Sequence, residues 1–244
     1  MKSWHYQSDG WLSPASAAVY EASTETLFVG RQDAMQRAGL ALLSHHLRAS
    51  GDERRGLEAP VEDSDDALRI LDVACGTGRF LTFVRDALPH AHVTALDLSP
   101  FYLAEARDGH AHWEQLRGRG RGRAAFVQAP AEALPFGDGS FDAVTCVYLM
   151  HELPPPQRAA VAAELARVLR PGGVCVLTDS VQLGDRPPLD AGLGRFGDFN
   201  EPHYVSYIGT DLGALMRAAG LQPSRKEVSS TTKSLSFTKP QRAA

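Results

Sequence analysis

The chain has 244 residues, which is enough for one α/β domain with additional segments but short for two complete domains. Charged residues make up 22% of it and the formal net charge is -4, so its overall charge does not indicate binding to nucleic acid or to an anionic membrane. No apolar stretch reaches the roughly 20 residues that span a bilayer, and the first residues lack the order of a signal peptide, so we expect a cytoplasmic protein that acts on a small molecule.

The N-terminal part is predicted to be helical over residues 14–49, because its apolar residues recur near a 3.6-residue period. Residues 50–66 are charged and contain glycine and proline, which is typical of a linker. We therefore expect a helical cap and linker over residues 1–66 and a core over residues 67–244. Aromatic rings are dense in the cap, where they either cover a cationic ligand and an apolar substrate or belong to the core: Trp4, His5, Tyr6, Trp11, Tyr20 and Phe28.

Short β-type runs alternate with helical segments from Leu68 onward, which predicts βαβ units and a parallel sheet with helices on both faces. The predicted strands are residues 68–74, 92–97, 124–128, 141–147 and 174–179. A helix is predicted over residues 157–170 and is ended by the Pro-Gly-Gly sequence that follows it. The three cysteines lie in or beside these runs without zinc-type or disulfide-type spacing, which predicts buried free thiols and no metal site: Cys75, Cys146 and Cys175.

Residues 181–209 contain glycine and proline throughout and show little periodicity, so we expect a lid. Its aromatic residues argue against disorder: Phe196, Phe199, His203, Tyr204 and Tyr207. A helix over residues 211–219 and two short β segments, 225–228 and 233–238, follow. The alternating Arg-Gly tract at residues 117–123 lacks interleaved aromatics and is short, so a solvated connecting loop is favoured over an RNA-binding segment.

The segment LDVACGTGRF, residues 71–80, places Gly76 and Gly78 between a strand and a helix. Glycines permit a tight turn, and they let backbone amides and the start of the helix approach a ligand, as nucleotide-like cofactors require. The third glycine of a dinucleotide fingerprint is missing, which weakens the NAD interpretation. Asp97 ends the second strand, where its carboxylate can accept hydrogen bonds from both hydroxyls of a ribose. The alternative for Asp97 is a helix cap, a role that Ser99 fills equally well.

Four separated motifs carry a family resemblance in order and spacing: LDVACGTG, VTALDLSPFYLAEAR, AEALPFGDGSFDAVTCVYLMHEL and ELARVLRPGGVCVLTD. They resemble the class I S-adenosylmethionine-dependent methyltransferases, in particular the branch similar to the ubiquinone-biosynthesis C-methyltransferases. The resemblance covers roughly residues 68–180. It implies an α/β, Rossmann-like, seven-stranded mixed sheet whose last strand is antiparallel, with S-adenosyl-L-methionine as cofactor and S-adenosyl-L-homocysteine as product.

The resemblance also implies roles for individual residues. The turn that holds the methionine part of the cofactor matches Asp72, Ala74, Gly76 and Gly78, and the ribose and adenine edge matches Asp97 and Leu98, with Ala131 offering its amide to the ring. Family members commonly have an aspartate where this chain has Pro130, so a side-chain acceptor for adenine is lost. Ala74 stands where the family's turn motif has its first glycine. This replacement should cost little conformational energy if the φ of Ala74 stays negative.

The acceptor is expected beyond the end of the fourth strand, where Val147 borders the cofactor and His151 is the first candidate for a general base. A histidine here can instead cap or orient the turn that follows. His203 and Tyr204 of the lid are candidates for substrate contacts, and ordinary loop packing is their alternative. The motif N-P-P-[YF] is absent after the fourth strand, which argues against methylation of nucleic-acid amines. The oxygen, nitrogen or carbon identity of the acceptor atom stays open.

Two other classes of function are compatible with these residues. A fold of this type can keep its cofactor and lose its chemistry, which would leave a non-catalytic S-adenosylmethionine-binding module. A nucleotide-dependent oxidoreductase is the second alternative. Binding of S-adenosylhomocysteine and of NAD distinguishes these classes.

Overall fold

The computed structural model describes residues 10–58, 66–117, 122–198 and 200–241. Seven strands form one sheet in the order β3-β2-β1-β4-β5-β7-β6. They are β1 (Arg69–Val73), β2 (His92–Asp97), β3 (Ala124–Gln128), β4 (Phe141–Val147), β5 (Leu169–Ser180), β6 (Gln222–Ser229) and β7 (Thr232–Thr238). β1 to β5 are parallel, and β7 pairs antiparallel with both β5 and β6. The predicted mixed sheet with an antiparallel last strand is confirmed.

The helices lie between the strands and at the N-terminus. They are α1 (Pro14–Leu27), α2 (Gln32–Ser50), α3 (Glu53–Leu57), α4 (Arg79–Ala87), α5 (Pro100–Arg117), α6 (Pro155–Val168), α7 (Asp190–Leu193), α8 (Tyr204–Ile208) and α9 (Leu212–Ala218). The single helix predicted over residues 14–49 is divided, because Val29 and Gly30 adopt φ values of 54° and 72° that a helix does not allow. The predicted linker contains α3, and its residues 59–65 lie outside the described part of the chain.

β5 is longer than predicted and begins at Leu169, so the Pro-Gly-Gly sequence belongs to the strand. Gly173 approaches β4 so closely that a Cβ atom there would lie 2.6 Å from the carbonyl oxygen of Asp142. The predicted helix over residues 157–170 accordingly ends two residues earlier, at Val168. The proline and the two glycines follow the helix, as predicted. In the structure they belong to β5, which pairs closely with β4 in an irregular register.

Helices cover both faces of the sheet, as predicted. On one face, α2 and α4 bury their apolar residues with the strands, including Leu43, Leu47, Phe80 and Val84. On the other face, α6, α8 and α9 contribute Val161, Leu165, Tyr207 and Met216. α2 therefore packs directly on the sheet, and its apolar period is explained by this burial.

The segment predicted as a structureless lid contains short helical turns and is attached to the sheet. α8 lies within it, and Tyr207 is fully buried with its hydroxyl donating to the carbonyl oxygen of Ser180 at 2.5 Å. The buried side chain of Gln182 donates to the carbonyl oxygens of Tyr207 and Thr210. The periodicity was missed because each helix is only four to five residues long. Phe199 and the side chain of Phe196 lie outside the described residues.

The Arg-Gly tract connects α5 to β3, as expected for a connecting loop, and its residues 118–121 lie outside the described part. All three cysteines are buried and free, which confirms the prediction of buried free thiols. Among the described residues, no helix combines the length and the apolar composition needed to cross a bilayer.

Candidate active site

The turn between β1 and α4 has three residues with left-handed backbone conformations. Ala74, Gly76 and Gly78 have φ values of 58°, 55° and 84°. The expectation of a small cost at Ala74 assumed a negative φ, and the structure does not meet that condition. In the left-handed region of φ, a residue with a Cβ atom carries about 1–2 kcal/mol of strain. At Gly78, an added Cβ would lie 3.1 Å from the Cβ of Ala106 on α5. Gly78 thus serves the turn and the packing of two helices, whereas Gly76 faces the cavity described below.

Asp97 lies directly beside this turn. Its Oδ2 accepts a hydrogen bond from the backbone N–H of Gly76 at 2.9 Å, and its Oδ1 accepts one from Ser99 N at 2.8 Å. The contact with Ser99 N is a local turn just before α5, where a helix cap was the alternative role for Asp97. The Ser99 hydroxyl accepts a hydrogen bond from Tyr102 N at the start of α5, so Ser99 itself caps this helix. A carboxylate has about four acceptor positions, so both backbone contacts are compatible with binding a ribose.

A large cavity of about 530 Å³ opens at the carboxyl ends of β1, β2 and β4. Six of the eight predicted cofactor residues line it: Ala74, Gly76, Asp97, Leu98, Ala131 and Val147. Of the N-terminal aromatics, Trp11 and Tyr20 line this cavity, and Trp4, His5 and Tyr6 lie outside the described residues. The volume is in the range of cofactor sites, and ligands of open α/β sheets bind at this edge of the sheet.

The two remaining predicted cofactor residues lie close by. Gly78 starts α4 behind the turn. Asp72 lines a smaller cavity, of about 30 Å³, which shares Ala74, Gly76 and Tyr20 with the large one. Asp72 is 1% exposed, and its Oδ1 accepts a hydrogen bond from the Thr145 hydroxyl at 2.7 Å. Burial raises the pKa of Asp72 to about 7, against the opposing effect of that hydrogen bond.

His151 lies just beyond β4 and faces Asp179 of β5. Its Nδ1 lies 2.7 Å from Asp179 Oδ1, and its backbone N–H donates to Asp179 Oδ2 at 3.3 Å. Because a carboxylate only accepts, Nδ1 donates the proton of this hydrogen bond, and Nε2 is the other nitrogen at which the imidazole can gain or lose a proton. Burial alone would lower the pKa of His151, but the charge and hydrogen bond of Asp179 outweigh it and raise this pKa to about 10.

Two further carboxylates contribute to this shift. The Oε1 atom of Glu152 lies 3.8 Å from His151 Nε2, and Glu201, which is 2% exposed, comes from the segment before α8. The ligand-type atoms of His151, Glu152 and Glu201 all lie within 4.8 Å of one another. The negative charges around the imidazole therefore favour its protonated form.

Aromatic rings hold the imidazole in place. The ring centroids of Tyr148, Tyr204 and Tyr207 lie 6.4, 6.0 and 6.1 Å from that of His151. Tyr148 has a φ of 54°, and Phe28 stacks on its ring at 5.7 Å. This strained tyrosine turns the chain between β4 and His151, and such strain is a frequent property of functional sites.

The two candidate residues of the lid, His203 and Tyr204, lie in and beside α8. Tyr204 is 2% exposed and packs on the His151 ring, so it positions the imidazole. His203 is the N-cap residue that precedes α8, and its carbonyl oxygen accepts a hydrogen bond from the buried Arg158 at 2.8 Å. Among the described residues, neither side chain lines the large cavity. The substrate contacts expected of His203 and Tyr204 stay a prediction, and loop packing stays their alternative.

His151 lines a small cavity of about 40 Å³ that shares Tyr20, Tyr148 and Glu152 with the large one. A ligand that extends from the large cavity past Tyr148 thus approaches His151. The sequence analysis did not identify Asp179 as a site residue. The pattern that identified Asp97 is an acidic residue at the end of a parallel strand, and Asp179 has the same pattern. It missed Glu201 because 50 residues separate it from His151.

The fold and this site define a Rossmann-like methyltransferase domain, and the comparisons with known proteins agree. A family profile described as a methyltransferase domain matches residues 70–173. An uncharacterized methyltransferase of Synechocystis is 33% identical over 183 residues, which cover 73% of this chain and 79% of that protein. The ubiquinone/menaquinone biosynthesis C-methyltransferase of Methylobacterium nodulans is 38% identical over 146 residues, 59% of this chain and 54% of that protein.

Among solved structures, magnesium protoporphyrin IX methyltransferase of Synechocystis with bound S-adenosylhomocysteine has the same fold, with a TM-score of 0.58 at 18% identity. The match covers 84% of this chain and 83% of that one. The chain belongs to the class I S-adenosylmethionine-dependent methyltransferases, near the branch of the ubiquinone and menaquinone C-methyltransferases. It spans about half of the length of the Methylobacterium relative.

Proposed function

We propose that this protein transfers a methyl group from S-adenosylmethionine to a hydroxyl group of a small, largely apolar acceptor, with His151 as the general base. The observation that carries the proposal is the hydrogen bond between His151 Nδ1 and Asp179 Oδ1, at the open end of the sheet and beside the large cavity. It fixes the imidazole so that Nε2 is the atom available for proton exchange.

The residues of the cavity fit the cofactor. Asp97 would hold the two ribose hydroxyls, Leu98 and Ala131 would border the adenine, and Gly76 would leave space for the chain that carries the sulfur, since all four residues line the cavity. One carboxylate oxygen of the buried Asp72, Oδ2, has no hydrogen-bond partner among the described residues. An unused buried acceptor of this kind is expected in a site that binds a polar group. When bound, S-adenosylmethionine supplies a methyl group on a positively charged sulfur.

The protein then has three tasks in the reaction. The aromatic residues Trp11, Tyr20 and Tyr148 exclude water from the cavity, which they line. In its neutral form, His151 Nε2 would accept the proton of the acceptor hydroxyl and so prepare its oxygen for the methyl group that the cofactor would supply. Asp179 stabilises the resulting imidazolium and preserves its orientation. The walls of the cavity would supply much of the catalysis by holding the acceptor oxygen close to the methyl group.

Calorimetry with S-adenosylhomocysteine and, separately, with NAD tests the cofactor. Binding of S-adenosylhomocysteine and not of NAD is expected, and the opposite result would replace the proposal by a nucleotide-dependent oxidoreductase. Turnover of a panel of phenols and aliphatic alcohols, followed by NMR of the product, tests the chemistry. Methylation at oxygen supports the proposal, and methylation at a ring carbon of a phenol contradicts its acceptor assignment. Turnover of any acceptor in the panel excludes the non-catalytic module.

A further inference from the structure

The small cavity of about 40 Å³ at His151, which we call the His151 cavity, lies between the N-terminal helices and the ends of β4 and β5. Gln32 at the start of α2 lines it on one side, and Glu152 and Glu201 line it together with His151. A space of this volume admits a group of a few atoms but not a whole cofactor. It shares Tyr148 and Glu152 with the large cavity, so it is suited to one end of a ligand that lies in both.

Gln32 brings a buried amide group to the His151 cavity. The residue is 1% exposed, and within the described part of the chain neither its Nε2 nor its Oε1 atom has a hydrogen-bond partner. Its position is fixed, because its backbone N–H donates to Glu25 Oε2 at 3.1 Å. An unused buried donor and acceptor destabilise a protein, so their presence beside a cavity indicates a ligand with polar groups.

Carboxylates dominate the charge of the lining. Glu201 is 2% exposed, and the ligand-type atoms of Glu201, Glu152 and His151 lie within 4.8 Å of one another. The large cavity adds Glu132, besides Asp97, which the proposed function assigns to the ribose. Among the described residues that line the two cavities, none is a lysine or an arginine. An anionic ligand group would be repelled here and a cationic one attracted, since charges shielded from water interact strongly.

An ammonium group has the donors that this lining requires. It carries three N–H donors and a positive charge, which match the carboxylates of Glu152 and Glu201 and the Oε1 atom of Gln32. The Nε2 atom of Gln32 is then left to donate to an oxygen beside the ammonium group. A hydroxyl on a carbon near the amine supplies that oxygen, and His151 faces the same space.

We propose that the methyl acceptor is a small hydroxy amine, whose ammonium group binds to Gln32, Glu152 and Glu201. Its binding there sets the neighbouring hydroxyl near His151. The inference rests on the proposed function, because it specifies the acceptor of the same reaction. The two glutamates determine specificity in this account: they select a cationic acceptor with an apolar body and reject carboxylates and phosphates.

Three phenols that share one ring test this class of acceptor. Beside the phenol oxygen, ortho-hydroxybenzylamine carries an ammonium group, ortho-hydroxybenzyl alcohol a neutral hydroxyl and salicylate a carboxylate. Calorimetry near neutral pH, with and without EDTA, measures their binding to wild-type protein saturated with S-adenosylhomocysteine. The amine is expected to bind at least about tenfold more tightly than the alcohol, and salicylate more weakly than both. This comparison does not depend on the folding of any variant.

Two variants assign the preference to the His151 cavity. Glu201→Gln keeps the size of the side chain and removes its charge, so it is expected to weaken binding of the amine by about tenfold and of the alcohol by less than about twofold. Gln32→Leu is expected to weaken the amine as well, because an acceptor atom is lost. The matched controls are Glu227→Gln on the exposed β6 and Gln36→Leu, one turn later on α2, whose buried amide lines the cavity of Asp72. Both controls are expected to keep the wild-type preference.

The inference is overturned if the amine does not bind, if the three phenols bind equally, if salicylate binds most tightly, or if Glu201→Gln leaves the preference unchanged. Loss of amine binding in EDTA overturns it as well, because the carboxylates would then belong to a metal site. Failure of wild-type protein to bind S-adenosylhomocysteine is a separate result that contradicts the proposed function itself. Methylation of neutral phenols with no preference for the amine would exclude this inference alone.

Discussion

The Nδ1 atom of His151, just after β4, lies 2.7 Å from the Oδ1 atom of Asp179 on the neighbouring strand β5. Both groups are nearly excluded from water, with side chains 13% and 3% exposed, so their attraction is only weakly screened. Parallel pairing of β4 with β5 creates this contact, because it brings Val147 opposite Thr178 and ends both strands at the same edge of the sheet.

The first prediction concerns the pH dependence of activity. His151 must lose a proton before it can act as a base, and Asp179 raises its pKa to about 10, so kcat/KM is expected to rise with pH from 6.5 towards that value. His151→Gln is expected to lower kcat by about 10²–10⁴-fold and to remove this dependence. Asp179→Asn is expected to move the profile to lower pH. An unchanged rate in His151→Gln with the true acceptor would exclude the base assignment.

The same pair predicts a pH dependence of stability. The pKa of His151 is raised in the folded state, so the stabilisation is complete below the unfolded value of about 6.5 and is lost as pH rises towards 10. The midpoint of thermal unfolding is therefore expected to fall more between pH 6.5 and 10 for wild type than for His151→Gln. Parallel curves for the two proteins would show that this ion pair does not contribute.

Asp97 provides a test of the cofactor site. Asp97→Ala is expected to weaken S-adenosylhomocysteine binding by more than about 1.5 kcal/mol, which is more than tenfold, because a charge-assisted contact to the ribose is lost. Calorimetry measures the change, and the exposed Asp108→Ala on α5 is the control. Since Asp97 also accepts from Gly76 and Ser99, thermal unfolding must show that the variant is folded. Wild-type affinity in folded Asp97→Ala would remove its assigned role.

Asp142 is expected to be a main contributor to stability outside the site. It is 4% exposed and accepts hydrogen bonds from Arg69 N at 2.7 Å, Arg55 Nη1 at 2.9 Å and Arg170 Nε at 2.6 Å. Asp142→Asn is expected to lower the free energy of unfolding by about 3–5 kcal/mol, because the two arginines lose their charged partner. The control is Asp138→Asn, whose side chain is 80% exposed and pairs with Arg167, and its expected cost is below about 1 kcal/mol.

The sign of the pH effect at Asp142 is the opposite of that at His151. Burial would raise the pKa of Asp142, but the hydrogen bonds and arginine charges outweigh it and lower this pKa. Its stabilisation is therefore complete above the ordinary value of about 4 and is lost as pH falls through the lowered pKa. Acid unfolding monitored by circular dichroism should begin at higher pH in Asp142→Asn than in wild type if other groups are unaffected. Coincident transitions would contradict this account.

Ala74 tests the strain in the turn. Its φ of 58° favours glycine, so Ala74→Gly is expected to raise the free energy of unfolding by up to about 1 kcal/mol, after subtraction of the entropy that glycine gains in the unfolded chain. Chemical denaturation measures this difference. The matched control, Ala87→Gly at the end of α4, should destabilise the protein, since Ala87 is helical. Destabilisation by both changes would show that Ala74 is not strained.

The amino-acid sequence by itself determined the sheet, most of its strand limits and the edge at which the site lies. β2, β3 and β4 begin and end where predicted, because buried parallel strands consist of β-branched and apolar residues between clear turn signals. Gly76 and Asp97 were identifiable because each belongs to a local strand-end pattern, and the structure joins them by a hydrogen bond.

Only the tertiary structure decided which distant side chains share a cavity. The pairing of β4 with β5 makes Asp179 the partner of His151, the packing of α8 sets Tyr204 against the imidazole, and the seating of α2 on the sheet brings Gln36 to the cavity of Asp72. Local periodicity and spacing carry no record of such contacts, because they depend on strand order and helix packing across more than 25 residues of chain. The φ of Ala74 is likewise imposed by the turn that the fold closes there.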